Sequence, residues 1–85
     1  MDIIHFQPRW KEEIVATSKR GTLVFEMTMG VDHVYFPSQV LWEKDAPEWA
    51  KLMWEEYMNE CIKWCNNNSV PFTLADNTFM FEERK

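Results

Sequence analysis

The fold is decided by residues 45–69, which read DAPEWAKLMWEEYMNECIKWCNNNS. Asp45 is a favourable N-cap, Pro47 falls in the first turn, and Glu48 stands three residues after the cap, as in a capping box. Asparagine tolerates the left-handed conformation that ends many helices, and Pro71 prevents the helix from resuming after the asparagine run. The pattern therefore predicts one long helix over this stretch.

The predicted helix has an apolar face and a polar face when its residues are placed at about 100° intervals. The apolar face consists of Ala50, Met53, Trp54, Tyr57, Met58, Cys61, Trp64 and Cys65. The polar face consists of Lys51, Glu55, Glu56, Asn59, Glu60, Lys63 and Asn66. A helix of this kind buries its apolar face against a second layer of structure.

Upstream, the hydrophobic period changes from 3.6 to 2. In residues 22–29, Leu23, Phe25, Met27 and Met29 alternate with other side chains, which predicts a strand with one buried face. Residues 13–18 are rich in β-branched side chains and precede a Lys-Arg-Gly turn, so we expect a hairpin, with a helix over residues 8–19 as the alternative. Short extended segments are predicted at residues 3–7, 33–36 and 40–42.

Beyond the helix, residues 70–74 and 78–82 flank Asp76-Asn77, a dipeptide suited to a tight turn, and predict a second hairpin. The expected fold is α+β, a small antiparallel sheet of four to six strands with one long amphipathic helix on one face. We expect Phe25, Met27, Phe79 and Phe81 to face that helix. The order of the strands does not follow from the sequence.

The 85 residues make a single domain with one modest core, and their 13 aromatic side chains (5 Trp, 2 Tyr and 6 Phe) favour a folded chain. The first residues lack the basic start and apolar run of a secretory signal, and both cysteines lie four residues apart on the predicted helix. Reduced, buried thiols are typical of a reducing compartment, so we expect a cytoplasmic protein.

The formal net charge is −5, and the excess of acids is greatest in residues 43–63. Such a surface repels phosphate backbones and anionic lipids, so we expect neither nucleic acid nor membrane as partner. The basic and aromatic run Arg9-Trp10-Lys11 is followed at once by Glu12 and Glu13, which cancel its charge.

Chemical motifs are weak. Cys61 and Cys65 could join His5 and His33 as zinc ligands, but their spacing fits no compact zinc module, and core packing explains the thiols better. A cysteine nucleophile is disfavoured near a helix C-terminus, whose negative end raises the thiol pKa. We therefore expect no catalysis, no metal and no cofactor.

The surplus of aromatic side chains predicts a function in protein binding, as a homodimer or with a dedicated partner such as a target to be inhibited. The predicted interface is Trp42, Trp49 and Leu52, rimmed by Glu48, Lys51, Glu55 and Glu56. The alternative is a small-molecule binding module with an apolar pocket between helix and sheet, lined by Met27, Met53 and Met58.

Overall fold

A computed structural model describes residues 3–10 and 12–83 of the protein. Within these ranges the chain has an α+β fold, with one mostly antiparallel six-stranded sheet and two α-helices, as the hydrophobic periods predicted. The elements in chain order are β1 His5–Arg9, β2 Glu13–Ser18, β3 Gly21–Thr28, β4 His33–Pro37, α1 Gln39–Asp45, a 3-10 helix Glu48–Ala50, α2 Trp54–Asn67, β5 Phe72–Ala75 and β6 Met80–Glu83. None of the helices in the described ranges is long and apolar enough to cross a membrane.

The central strand of the sheet is β3. Along one edge it pairs with β2, and β2 pairs in turn with β1. Its other edge is shared, because β6 pairs with the first half, where Met80 lies opposite Phe25, and β4 pairs with the second half, where Tyr35 lies opposite Glu26. The chain between β4 and β5 contains all the helices and forms a crossover, so β4 and β5 run parallel.

The prediction of a single long helix was wrong. Residues 45–69 contain the last residue of α1, the 3-10 helix and α2, with breaks between them. A residue before proline is restricted to extended conformations, and Ala46 takes φ −70° and ψ 147° in front of Pro47. Asp45 is accordingly the last residue of α1 and not an N-cap. The apolar face was predicted well for α2, where Tyr57, Cys61 and Cys65 are buried.

Residues 40–42 were predicted as extended but belong to α1. Ser38 caps this helix by accepting a hydrogen bond from the backbone N–H of Leu41 at 3.4 Å. At the other end of the helical region, Ser69 and not an asparagine takes the left-handed conformation, with φ 56°. A side-chain cap at Ser38 thus marks the start of the helical region, and a left-handed backbone at Ser69, directly after the C-cap Asn68, marks its end.

The first hairpin is confirmed, because β2 and β3 pair antiparallel from Glu13 opposite Glu26 to Ser18 opposite Gly21. The alternative helix over residues 8–19 was therefore wrong. The second hairpin was also wrong, since β5 pairs with β4 and β6 pairs with β3. The crossover places β5 on the far side of β4, while β3 offers β6 a free half-edge.

The core lies between the helices and one face of the sheet. Phe25 is its centre, with ring centroids 4.9 Å from Phe36 and 5.9 Å from Trp42. Phe25 and Met27 face the helices as predicted. Phe79 and Phe81 do not, because Met80 occupies the core side of β6, and the residues on either side of it point the other way.

Candidate functional site

The opposite side of the sheet, which we call the open face, is not covered by any helix of the described residues. Its centre is Val24, which is fully buried and yet lies outside the core cluster. Val15 of β2 and Phe81 of β6 lie directly opposite Val24 on its two sides. These cross-strand neighbours form an apolar strip across the middle of the open face.

Phe79 and Phe81 make up the exposed part of this strip. Their ring centroids are 6.0 Å apart with an interplanar angle of 28°, so the rings stack. Each residue is 40% exposed. The stacking orders two large rings while leaving a substantial area of apolar surface in contact with solvent, an arrangement typical of binding surfaces.

A carboxylate is fixed next to this aromatic pair. Thr78, which is buried, donates its hydroxyl hydrogen bond to Oε1 of Glu26 at 2.8 Å, and the same Oγ1 atom lies 3.3 Å from the carbonyl oxygen of Tyr35. Glu26 is two residues beyond Val24 on the same side of β3, so it is the diagonal cross-strand neighbour of Phe81. The Glu26 carboxylate is therefore ordered beside the rings.

A second polar group on the open face is an ion-pair network around Arg9. The Nε and Nη2 atoms of Arg9 donate to Oε1 of Glu13 at 2.9 and 2.6 Å, and Nη1 donates to both carboxylate oxygens of Glu83 at 2.8 and 2.7 Å. The hydrogen bonds to Glu13 and then to Glu83 raise the pKa of Arg9, although burial opposes them. The network connects β1 at one edge of the sheet with β6.

The interface predicted from the sequence is only partly at the surface. Trp42 is fully buried, stacks in the core and donates its indole N–H to the carbonyl oxygen of Ala50 at 2.8 Å, so it is not available to a partner. Leu52, in contrast, is completely exposed. Its predicted rim residues Glu48, Glu55 and Glu56 are exposed, while Lys51 is half-buried and donates to the carbonyl oxygen of Glu43.

Trp49 is half-buried and engaged within the molecule. Its indole N–H donates to Oε2 of Glu82 at 2.9 Å, and its ring lies against Tyr57 with a centroid distance of 6.4 Å. The ring also lies so close to Gly21 that a Cβ there would be 2.8 Å from Cζ2. The predicted surface thus presents one apolar side chain, Leu52, among charged neighbours.

The zinc candidates lie on two sides of the sheet. Cys61 and Cys65 are buried in the core, and hydrogen bonding to Cys65 together with burial raises the pKa of Cys61. His5 and His33 belong to the open face, where the Nε2 atom of His33 lies 2.7 Å from Oγ1 of Thr73. The sheet separates the thiols from the imidazoles, so the four side chains do not form one site.

The methionines predicted to line a ligand pocket also separate. Met27 is buried in the core, and Met58 is partly buried and packs against the core cluster. Met53 lines an open groove between the start of β1 and α2. The groove walls include Ile3, Ile62 and the charged side chains of Arg20 and Lys63. Because ligand sites normally enclose most of a small molecule, this open groove favours such a role less than a closed pocket would.

Two other exposed apolar residues lie at hairpin tips, where Trp10 is 84% and Val31 is 87% exposed, and Val40 of α1 is 78% exposed. Lys11, the third member of the basic and aromatic run, lies outside the described residues. Trp10 and Val31 stand singly on turns, whereas Phe79 and Phe81 stack and adjoin a buried apolar strip. The open face is therefore the better candidate site.

Comparison with known proteins found no matching family model, no similar curated protein and no similar solved structure. The functional argument consequently depends on the residues of this chain alone. Sequence reasoning missed the open face because residues 79–82 place two phenylalanines on one side of the strand and Met80 with Glu82 on the other, and this alternation favours the phenylalanines as the buried side.

Proposed function

We propose that this protein acts by binding another protein molecule, without catalysis, and that the open face makes the contact. The observation that carries the proposal is the stacked pair Phe79 and Phe81, which stays 40% exposed on the side of the sheet that no helix covers. Exposed aromatic surface next to an apolar strip supports protein binding because covering it removes apolar area from water.

The shape of the face supports the same proposal. Phe81 stands on β6, which is held in register by β3, and Phe79 directly precedes that strand and stacks on Phe81, so the rings are presented on a rigid surface. Little conformational entropy is lost when a partner docks on side chains that are already ordered. Leu52, the exposed member of the surface predicted from the sequence, lies in the turn before α2 without an aromatic neighbour of comparable exposure in the described ranges.

The test compares three tagged proteins in a lysate of the native host at near-physiological salt. The proteins are the wild type, Phe81→Thr and, as the matched control, Leu52→Ser. Phe81→Thr removes the ring and places a β-branched residue, which suits a strand, in β6. We expect the wild type and Leu52→Ser to retain the same stoichiometric protein, or a second untagged copy, and Phe81→Thr to lose it.

Circular dichroism on each variant confirms that the fold is intact before capture is compared. Retention that is unchanged in Phe81→Thr but lost in Leu52→Ser would move the contact to the turn before α2 and contradict the open-face assignment. Sedimentation velocity of the wild type separates a homodimer from a complex with a different protein.

A further inference from the structure

The charged side chains of the open face indicate the charge of the partner surface that fits it. In the described part of the chain, Glu26 has no cationic neighbour within ion-pair distance, and its one hydrogen bond comes from the neutral hydroxyl of Thr78. Arg9 is engaged elsewhere, because its Nε, Nη1 and Nη2 atoms donate to Glu13 and Glu83. Among the described residues, Glu26 is thus a half-buried, oriented carboxylate without a cationic partner of its own.

The position of Glu26 is unfavourable for the isolated protein. It lies directly opposite Glu13 in the pairing of β2 and β3. Like charges directly opposite on one sheet face destabilise the pair. The buried Thr78 hydroxyl needs an acceptor at this position, but a glutamine would supply one without the charge. A charge conflict of this kind is expected where a surface serves a function.

A second copy of this chain is a poor occupant for the same face. The described residues of the open face include three carboxylates, on Glu13, Glu26 and Glu83, against one guanidinium, on Arg9. Two such faces in contact would bring together two acid excesses in a protein whose net charge is already −5. A positively charged partner surface satisfies the face instead.

Building on the proposed function, we infer that the open face binds a different protein through a basic side chain, which lies over Phe79 and Phe81 and pairs with Glu26. An aromatic ring attracts a cation placed over its face, and a guanidinium both stacks on rings and donates two hydrogen bonds to a carboxylate. Arginine is therefore the partner residue that fits this arrangement best.

A titration with a short blocked peptide containing two arginines tests the inference, and the same peptide with citrulline, which is neutral and nearly isosteric, is the ligand control. Binding is followed in amide NMR spectra at low and at physiological salt. We expect the arginine peptide to shift the resonances of Glu26, Phe79 and Phe81, and the citrulline peptide to leave them unchanged.

Two protein variants remove the same charge from different places. Glu26→Gln keeps an oxygen that accepts the Thr78 hydrogen bond, and Glu43→Gln removes an exposed carboxylate from α1 on the other side of the sheet. We expect Glu26→Gln to weaken binding of the arginine peptide about tenfold, as for the loss of one charged hydrogen bond, and Glu43→Gln to have no effect. Equal effects of both variants, or shifts confined to the helices, would overturn the inference.

The outcome also separates this inference from the proposal on which it rests. A captured protein that is lost with Phe81→Thr but retained by Glu26→Gln would keep the open face as a binding surface and reject the basic side chain. Loss with both variants, together with the peptide result, supports the basic partner. Retention by both variants would reject the surface itself.

Discussion

The indole N–H of Trp42 donates to the carbonyl oxygen of Ala50 at 2.8 Å, a buried hydrogen bond that joins α1 to the 3-10 helix eight residues later. Trp42 also stacks between Phe25, Phe36 and Tyr57, with centroid distances of 5.6 to 5.9 Å. The same carbonyl also accepts a hydrogen bond from the backbone N–H of Met53 at 2.9 Å, so both lone pairs of the Ala50 oxygen are used and the indole fixes α1 against the 3-10 helix.

Replacing Trp42 with Phe removes that donor and part of the ring volume. We expect the free energy of unfolding to fall by about 1–3 kcal/mol, because one buried hydrogen bond is lost and a cavity forms, although the Ala50 carbonyl keeps its hydrogen bond from the backbone N–H of Met53. Urea unfolding followed by circular dichroism measures the change. Trp49→Phe is the control, since its bond to Glu82 is only partly buried and its loss should cost about 1 kcal/mol or less. Equal losses for the two variants would contradict the role given to Trp42.

Gly21 is predicted to resist substitution because Trp49 covers it. A Cβ at this position would lie 2.8 Å from Cζ2 of Trp49, and the backbone φ of 158° is itself rare for residues with side chains. We expect Gly21→Ala to lower the free energy of unfolding by about 1–3 kcal/mol. In a double-mutant cycle, Trp49→Ala should relieve the steric part of this cost while the backbone part remains. If the changes in the free energy of unfolding caused by the two substitutions were strictly additive, the indole of Trp49 would not press on a Cβ at position 21.

The thiols of Cys61 and Cys65 are expected to be unreactive in the native protein, because both side chains are almost completely buried and a thiol must ionise to react. A colourimetric disulfide reagent at pH 8 should modify them at least about 10³-fold more slowly than in the unfolded protein. The reagent reaches the thiols only in the small fraction of molecules that are transiently opened, and that fraction sets the factor. Rapid modification of one thiol per chain, without unfolding, would show that α2 leaves a cysteine accessible.

The pairing of Glu13 with Glu26 predicts an unusual stability change. Glu26→Gln removes one of two like charges and retains an acceptor for Thr78, so the free energy of unfolding should rise by about 0.2–1 kcal/mol. Thermal unfolding at low and high salt checks the cause, since a gain due to charge repulsion is reduced when ions screen it. A loss of stability in this variant would mean that the Glu26 charge is compensated within the fold.

Much of the fold followed from local patterns. The period of 2 in β3 and the turn before Gly21 predicted the first hairpin, and the period of 3.6 predicted the buried side of α2 from Tyr57 to Cys65. These features depend on residues close in the chain, whose spacing decides which side chains share a face. The candidate site was not predicted, because Phe79 and Phe81 were assigned to the core, which Met80 occupies.

The sequence by itself determined the α+β class, the apolar face of α2 and the presence of more aromatic surface than one core buries. Tertiary structure alone decided which half-edge of β3 receives β6 and on which side of the sheet the two phenylalanines emerge. The reason is that β6 has apolar residues on both sides, so either side could face the core as far as the local sequence is concerned. Pairing with a particular neighbour in a particular register selects one of them, here by placing Met80 against Phe25.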